Sequence, residues 1–450
     1  MNIQFVPEIR ALCAKIPFPV YAVGGYVRNF LIDGEVSEDL DLAAPVDLCA
    51  MKPYVEECGA KIIAEYKRTG TAVFVTGGVR CEFTSFRKES YAAGGGHSPE
   101  SVERTDDIKE DALRRDFKCN AVYYDIKKNE LIDPLGGVSD IRNKILDTVK
   151  SPEKVFCSDG LRLLRLARFC GELGFKPTES LLNAAKKYAD NIKDVSCERV
   201  YSELNKILVA DGKYKFSPKD GHYRALKILD ETRVLDRILP ELTLGRGMEQ
   251  RNDYHNHDVL EHSLRCVLYA PQDIRLAALL HDVAKPYCMK NFGSYRGHDA
   301  QGKKMVGDIL GRLKAGNRAT DEVKFLVGAH MYDLDGKTSV AKVRRFIADN
   351  EKYYEKLTEL KIADGKACKD EDCIPPQVLR WQEIYAKMKK DGTPIKVSDL
   401  KISAKDLQET GFSDEKLGAA LKTLRYLAID NPQLNNKESL SRAAKKLLKG

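Results

Sequence analysis

The chain has 450 residues, more than one compact core usually holds, so we expect two to four domains. Hydrophobic residues make up 43% and charged residues 31%, and no apolar run is long enough to span a bilayer, which argues against a membrane protein. The net charge of +7 favours a polyanionic partner.

The N-terminal residues do not resemble a signal peptide, because Glu8 and Arg10 stand where such a peptide needs an apolar core. The twelve cysteines contain no C-x-x-C pair, which argues against a disulfide framework and against a thiolate zinc site. Together these features predict a cytoplasmic protein whose cysteines are mostly small buried hydrophobes.

The first 147 residues combine a few helical patterns with six short runs rich in β-branched and aromatic residues. These runs are VYAVGG, DLDLAAP, TAVFVT, RCEFTSF, AVYYDI and ELIDP. They predict a mixed β-sheet. The polar, glycine-containing stretch between Phe86 and Arg114 is too irregular for a helix or strand, and it predicts a mobile loop.

After Pro152 the apolar periodicity becomes helical and stays helical. Near the C-terminus the pattern predicts short helices with a turn near Gly411 and a last basic helix. We therefore predict an α+β fold, with an N-terminal mixed β-sheet domain followed by all-α domains. The predicted domain boundaries are 1–147, 148–215, 216–370 and 371–450.

Two glycines and an arginine follow the first predicted strand, and two aspartates open the next one: Gly24, Gly25, Arg28, Asp39 and Asp41. Backbone N–H groups at a helix start can bind a triphosphate, to which Arg28 would add positive charge. Residues two apart on a strand share a face, so Asp39 and Asp41 could hold divalent metals. Each motif alone is more often an ordinary turn or acidic loop. Their spacing together predicts a metal site that faces a phosphate cradle.

Two further patterns lie in the helical part. Charged residues recur every three positions along one side of a predicted helix, namely Asp159, Arg162, Arg165 and Arg168. Taken alone, such a stripe is more typical of a solvated surface. Downstream, six of the eight histidines cluster with aspartates between residues 255 and 330, and this clustering favours a divalent metal site.

These stretches together resemble the DNA polymerase β-like nucleotidyltransferases, specifically the bacterial-type tRNA nucleotidyltransferase and poly(A) polymerase family with an HD domain. GGYVR followed by DLD is similar to the family's opening motif, with Asn29 where aspartate is usual. LRRDFKCNAVYYD and DPLGGVSD are similar to two later motifs. SDGLR is similar to E-D-x-x-R, with Ser158 in place of glutamate, and in a C-terminal motif Ala404 replaces the common glycine.

The resemblance implies that the chain adds CCA to tRNA 3′ ends from CTP and ATP, without a nucleic-acid template, and releases pyrophosphate. It also implies roles for the four predicted domains. The first would be a nucleotidyltransferase head, the second a helical neck that selects the nucleotide, the third an HD-type body and the fourth a tRNA-binding tail.

The resemblance further implies a role for each site residue. Asp39 and Asp41 would hold two Mg²⁺ ions, with Glu82 as the candidate third carboxylate. Asp159 and Arg162 would read an exocyclic amine and the adjacent ring acceptor, a pattern that cytosine and adenine share and that uracil and guanine lack. Nucleotide contacts are assigned to Gly24, Gly25, Arg28, Arg114, Arg115, Asp159, Arg162, Arg165 and Arg168, with Arg114 and Arg115 as alternatives for one contact.

In the HD region the matched dyad is His281-Asp282, predicted to lie in a helix. His262 and Asp364 would complete one metal site, and His298 and His330 are candidate ligands of a second. Such a region can be catalytic, vestigial or structural, and the sequence leaves all three alternatives open.

Rival functions share parts of this pattern. A poly(A) polymerase or a CC-adding enzyme would have the same head and neck, although the long 87–113 segment argues against CC-only addition. An HD phosphohydrolase with an RNA-binding head and a silent tRNA-binding protein are disfavoured by the two aspartates. The expected partners are tRNA, CTP and ATP, and the sequence leaves the oligomeric state open.

Overall fold

The computed structural model describes residues 3–90, 100–250 and 255–449. Its chain divides into two compact units, Met1–Thr243 with Arg312–Lys314, and Leu244–Gly311 with Ala315–Gly450. Among the helices within the described ranges, none is long and apolar enough to cross a membrane.

The strands that the structure describes all lie in the first unit. In chain order they are β1 Tyr21–Val23, β2 Asp39–Ala44, β3 Lys61–Tyr66, β4 Thr71–Thr76, β5 Val79–Ser85, β6 Arg87–Ser90, β7 Ser101–Arg104, β8 Tyr123–Asp125, β9 Glu130–Ile132, β10 Ile145–Leu146 and β11 Lys176–Pro177. Seven of them form one sheet in the order β3-β4-β5-β2-β1-β8-β9. In that sheet β2 and β5 run parallel, whereas the other neighbours are antiparallel.

The composition of the strands explains their place in the sheet. Strand β4, TAVFVT, consists largely of β-branched and aromatic residues and is buried along nearly its whole length. Strand β2 begins with the exposed Asp39 and ends in buried alanines, so its polar end lies at the edge of the core. The predicted mixed sheet is confirmed.

The first unit also contains twelve α-helices within the described residues. They are α1 Pro7–Lys15, α2 Gly25–Asp33, α3 Leu48–Glu57, α4 Ile108–Leu113, α5 Gly137–Asn143, α6 Pro152–Ser158, α7 Leu161–Leu173, α8 Glu179–Lys187, α9 Cys197–Leu208, α10 Gly221–Glu231, α11 Leu235–Ile238 and α12 Pro240–Thr243. Helix α7 is buried along almost its whole length and packs against α9 and α10. Charged residues of α7 are therefore held in fixed surroundings.

The second unit is helical in its described part. Its helices are α13 Val259–Tyr269, α14 Arg275–Leu280, α15 Lys285–Phe292, α16 His298–Arg312, α17 Asn317–Ala329, α18 Val340–Asp349, α19 Glu351–Lys369, α20 Pro376–Lys390, α21 Ala404–Thr410, α22 Asp414–Asp430 and α23 Lys437–Lys449. Helix α13 packs against α14 and α19. Helices α21 to α23 share a small core that includes Leu407, Leu424 and Leu440, and a left-handed Gly411 follows α21 as the sequence indicates.

The prediction of an irregular loop between Phe86 and Arg114 is wrong for its two flanks. Strands β6 and β7 pair there as an antiparallel hairpin, and α4 follows with Asp107 as its N-cap. The flanking sequences RKES and SVER lack alternating hydrophobic residues, so the strand pairing left no local pattern to recognise. Residues 91–99 of the predicted loop lie outside the described residues.

Candidate functional site

Three carboxylates meet on the adjacent parallel strands β2 and β5. Asp41 stands opposite Glu82 in the strand register, and Asp39 stands opposite Arg80, whose guanidinium lies 3.4 Å from an Asp39 oxygen. Burial raises the pKa of Asp41 to about 6, and the charges of Glu82 and Asp39 act in the same direction, against the opposing effect of Arg115. Negative charge concentrated in this way is relieved by a bound cation.

The glycine turn before α2 lies directly against this carboxylate group. Gly24 has φ of +73°, and a Cβ atom on it would approach Asp41 Oδ2 to 2.5 Å. Only glycine allows the backbone to come so close while holding this conformation. Helix α2 then begins at Gly25, so its first N–H groups lie beside the acidic end of β2.

We expect Gly24→Ala to lower the rate of the reaction at this site by about tenfold or more, because the methyl group would displace Asp41. Gly34→Ala is the matched control. Gly34 also has a positive φ, of +83°, but a Cβ there would meet nothing within 4 Å. Steady-state rates and melting temperatures of both variants test the prediction. Equal activity in the two variants would mean that the close approach to Asp41 does not matter.

Arg28, one turn into α2, is almost fully buried and is held by neutral acceptors. Its guanidinium donates to Asn29 Oδ1 at 2.8 Å, to Asn120 Oδ1 at 2.6 Å and to the Tyr214 hydroxyl at 2.9 Å. The ring of Phe169 lies 5.3 Å from the guanidinium carbon. Because these acceptors are uncharged, they orient Arg28 without neutralising its positive charge.

Arg114 and Arg115 are both anchored by one buried carboxylate. Arg114 Nε donates to Asp111 Oδ1 at 2.7 Å, while Arg115 donates to Asp111 Oδ2 at 3.3 Å and to the Tyr123 hydroxyl at 3.1 Å. Burial alone would raise the pKa of Asp111, but the two arginines outweigh it and hold the pKa at about 2. The charge of Arg115 also acts on Asp41, which favours Arg115 over Arg114 as the arginine that influences this carboxylate.

Asp159 and Arg162 lie at the junction of α6 and α7. Asp159 precedes α7, so the predicted stripe of charged residues begins before that helix and not within it. The Asp159 carboxylate accepts a hydrogen bond from the N–H of Leu161 at 3.0 Å. Arg162 donates to the Ser158 hydroxyl and to the carbonyl of Arg114, each at 2.8 Å. These bonds fix the direction of the guanidinium.

The last two arginines of the stripe are paired with carboxylates. Arg165 Nε donates to Asp116 Oδ2 at 2.8 Å. Arg168 donates to Glu203 at 2.7 Å and to Glu172 at 2.9 Å, deep within the helices. Their charges are largely balanced inside the protein, which points to a positioning role. Their assignment to nucleotide contacts stays a prediction.

Most of the predicted residues line one cavity of about 650 Å³. The lining includes Gly24, Gly25, Arg28, Asp41, Glu82, Arg114, Arg115, Asp159, Arg162, Arg165 and Arg168. Asp39 lines a neighbouring cavity of about 520 Å³, which shares Gly25, Asp41 and Glu82 with the first. The carboxylates and the charged residues of α7 thus open into one connected region of the first unit.

The residues that support this cavity were not predicted from the sequence. Asp111, Asp116 and Asn120 each hold one or more of its arginines, and Tyr214 bonds Arg28 from a segment nearly two hundred residues away. Asp116 and Asn120 lie within the quoted stretch LRRDFKCNAVYYD, which was the available signal. For Tyr214 the sequence carries no signal, because its partner is distant in the chain.

In the second unit, four histidines and two aspartates form a compact cluster. His262 lies in α13, Asp364 in α19, His298 starts α16 and His330 follows α17. The dyad His281-Asp282 lies in a turn after α14, so its predicted helical position is wrong. Beyond Leu280 the backbone bonds span three residues instead of four, as Val283 N–H donates to the Leu280 carbonyl and Lys285 N–H to the Asp282 carbonyl, so the α-helical pattern stops at the dyad.

Each of the four imidazoles has its Nε2 atom within 4 Å of a carboxylate oxygen of Asp282 or Asp364. Asp282 lies 3.2 Å from His281 Nε2 and 3.1 Å from His298 Nε2, one oxygen to each. Asp364 lies 3.1 Å from His262 Nε2. His298 Nε2 and His330 Nε2 are 3.1 Å apart.

Backbone carbonyls fix the tautomers of three of these histidines. The Nδ1–H of His281 donates to Ala278, that of His298 to Tyr295 and that of His330 to Val327, each at 2.7 Å. A carbonyl can only accept, so Nδ1 carries a proton in each ring, and in the neutral imidazole the lone pair of Nε2 points to the centre. This arrangement is typical of histidines that ligate metals.

Nearby positive charge keeps Asp282 ionised, as a metal-ligating carboxylate must be. Burial alone would raise the pKa of Asp282, but His281 and Lys285 hold it well below its usual value. Two groups are spaced to hold a metal ion, with their ligand atoms within 4.8 Å of one another: His262, His281 and Asp282, and Asp282, His298 and His330. Asp282, Asp364, His298 and His330 open to a cavity of about 840 Å³.

Comparison with known proteins adds three matched domain families. A sequence model described as "Poly A polymerase head domain" matches residues 20–147. One described as "Probable RNA and SrmB- binding site of polymerase A" matches residues 174–244, and "HD domain" matches residues 259–366.

The A-adding tRNA nucleotidyltransferase of Deinococcus radiodurans is 31% identical to this chain over 372 residues, which cover 78% of each protein. The chain belongs to the tRNA nucleotidyltransferase and poly(A) polymerase family. Another family member, the CCA-adding enzyme of Ligilactobacillus salivarius, is 28% identical over 440 residues, covering 96% of this chain and 93% of that protein. The family resemblance inferred from the motifs is therefore confirmed.

Solved structures of the family have the same fold. A CCA-adding enzyme of Bacillus stearothermophilus in complex with CTP matches with a TM-score of 0.67 at 22% identity, covering 99% of this chain and 98% of that one. The Thermotoga maritima CCA-adding enzyme complexed with tRNA matches with a TM-score of 0.62 at 17% identity, covering 100% and 99%. These likenesses confirm the predicted α+β fold.

Proposed function

We propose that the chain adds C, C and A in turn to tRNA 3′ ends, using CTP and ATP. The observation that carries the proposal is the cavity of about 650 Å³, into which Asp41, Glu82, Asp159 and Arg162 all open. One cavity can then join a cation site to groups able to read a base. Family members named for CCA addition and for A addition support the reaction class.

The carboxylates fit a divalent cation, because three oxygen-bearing side chains lie on adjacent strands and Asp41 has a raised pKa. We assign Asp39, Asp41 and Glu82 to Mg²⁺, which supplies neutralisation of phosphate charge. In the proposed reaction the tRNA 3′-hydroxyl attacks the α-phosphorus, the bond to the bridging oxygen breaks, and pyrophosphate leaves.

The arginines of the cavity would bind the triphosphate. Arg28 suits this role because Asn29 and Asn120 hold it without neutralising it. Arg115 is our choice over Arg114, since its charge acts on Asp41. The first N–H groups of α2, beyond Gly25, would add donors to the same phosphates.

Asp159 and Arg162 would select the base. A carboxylate accepts from the amine at cytosine N4 or adenine N6, and a guanidinium donates to the neighbouring ring nitrogen. The carbonyl of Arg114 and the hydroxyl of Ser158 hold Arg162 in one direction, so the pair is preorganised.

We retain the four domain boundaries as proposals, with a head, neck, HD body and tRNA-binding tail. We also propose the cytoplasm as the place where the chain meets tRNA.

Three tRNA primers distinguish the branches of the family: one that lacks CCA, one that ends in C and one that ends in CC. Each is incubated with Mg²⁺ and a single labelled nucleotide, and the products are separated at single-nucleotide resolution. The proposal expects C on the first two primers and A on the third. Extension of the third primer alone would assign the chain to A addition, and a long A ladder would assign it to poly(A) synthesis.

The HD cluster supports a second candidate activity, metal-dependent hydrolysis of phosphate esters. Its six candidate ligands form one cluster, four of them line a cavity of about 840 Å³, and a purely structural core does not require such an arrangement. A metal there would activate water for attack on phosphorus.

We expect replacement of both His281 and Asp282 by asparagine to remove any such hydrolysis and to leave nucleotide addition within about twofold of the unaltered chain, because the two activities use separate ligands. Hydrolysis of a generic phosphodiester and CCA addition are measured on the same preparation, with circular dichroism to confirm folding. Loss of nucleotide addition in a folded double variant would refute this division of work.

A further inference from the structure

We propose that the second unit holds an additional metal position, formed by His255, His262 and Cys368, that takes a thiophilic divalent cation such as Zn²⁺. This position shares His262 with one of the two ligand groups that contain Asp282, and His255 and Cys368 belong to neither of them. Each of the three residues offers one nitrogen or sulfur atom, and these atoms lie within 4.8 Å of one another.

The ring nitrogens provide the decisive observation. His262 is fully buried, and its Nδ1 is without a hydrogen-bond partner among the residues that the structure describes. Nδ1 of His255 is also without a hydrogen-bond partner among these residues. A buried polar atom without a partner is costly, so it indicates an absent ligand. His281, by contrast, satisfies its Nδ1 with a backbone carbonyl.

The two ring nitrogens of His262 can each bind a different metal ion. Its Nε2 faces Asp364 at 3.1 Å, which leaves Nδ1 for the opposite side. The rings of His255 and His262 are perpendicular, with centroids 5.0 Å apart. An imidazole that uses both nitrogens can bridge two metals, as long as its second proton is released.

Cys368 follows Asp364 by one helical turn in α19, so both side chains point to the same side of that helix. The segment that carries His255 is tied to the end of the same helix. Asn256 N–H donates to the Cys368 carbonyl at 2.9 Å, and His257 contacts Asp370 at 2.7 Å. These bonds hold His255 beside Cys368 before any metal arrives.

Two imidazoles and one thiolate form a donor set that suits Zn²⁺ better than Mg²⁺, which prefers oxygen. His255 and Cys368 both line the cavity of about 840 Å³, which leaves a fourth position open to water. Binding releases the thiol proton of Cys368 and, when His262 Nε2 also holds a metal, the remaining ring proton of His262. The absence of a C-x-x-C pair argued against a thiolate zinc site, but a site with one thiolate and two imidazoles does not need that cysteine spacing.

Cobalt substitution tests the proposal on the full chain, because a Co²⁺–thiolate bond produces a near-ultraviolet charge-transfer band. We expect titration with Co²⁺ alone to produce this band, Cys368→Ser to abolish it and His255→Ala to weaken cobalt binding there by about tenfold or more. The exposed Cys373→Ser is the matched control and should retain the band.

Bound zinc, measured by mass spectrometry, should fall by one ion per chain in Cys368→Ser, while CCA addition is unchanged. The absence of the band in the unaltered chain, or its persistence in Cys368→Ser, would overturn the proposal. Persistence would instead assign the thiolate to another cysteine, such as the buried Cys266. These readouts do not depend on the proposed nucleotide addition, so the two proposals can fail separately.

Discussion

Replacement of Asp41 by asparagine is expected to slow the addition of C and of A alike, by roughly a thousandfold or more. The change removes one negative charge from a half-buried position beside Glu82 and leaves the shape of the side chain nearly intact. Because all three additions use the same cation site in this account, no single step should be spared. Single-turnover rates with each of the three tRNA primers give the measurement.

The matched control for Asp41→Asn is Glu57→Gln. Glu57 is a carboxylate of the same unit that is well exposed and forms a surface pair with Lys15. This variant should retain its activity, since such exposed pairs contribute little. Filter binding of tRNA should be nearly equal in both variants. Selective loss of A addition in Asp41→Asn would contradict a shared cation site.

The second large effect is expected from an exchange of the two base-reading side chains. Asp159→Arg combined with Arg162→Asp reverses the hydrogen-bonding sense of the pair, so bases with a carbonyl in place of the amine should be accepted. Each well-placed base contact contributes about 1–3 kcal/mol to discrimination, so preference should move toward UTP and GTP by tenfold or more. The ratio of rates between nucleotides is the quantity to measure.

The overall rate of the exchanged variant should also fall, because an aspartate at position 162 cannot donate to the Arg114 carbonyl or to Ser158. The control exchanges a second pair of the same unit, Arg237 and Asp190, which are 2.8 Å apart. That exchange should leave nucleotide preference unchanged. An active Asp159/Arg162 variant with its preference for C and A intact would show that these residues do not read the base.

Local patterns predicted much of this molecule. The runs VYAV and DLDLAAP predicted two strands, so Gly24 was expected at the start of a helix and Asp39 and Asp41 on one strand. Side chains alternate between the two faces of a strand, and a helix start exposes backbone N–H groups, so the positions of these residues could be predicted. The six runs all contain strands of the head. The histidine spacing likewise indicated a cluster before any distance was known.

What the sequence could not predict depends on contacts between distant residues. Nothing in the spacing of Arg165 and Arg168 distinguishes a solvated stripe from one paired with Asp116 and Glu203. Tyr214 reaches Arg28 only because the folded chain brings them together. Among the described residues no group bonds Nδ1 of His262, and such a property of the surroundings leaves no mark on the sequence.

The most direct test of the central account places all four nucleotides in competition. A tRNA that lacks its three terminal nucleotides is incubated with the chain, Mg²⁺ and equal concentrations of CTP, ATP, UTP and GTP, and the 3′ ends are sequenced. The account predicts that the completed products end in CCA, without U or G, because protein side chains alone select the base. Ends composed of A only, ends that stop after CC, or frequent U and G would contradict it.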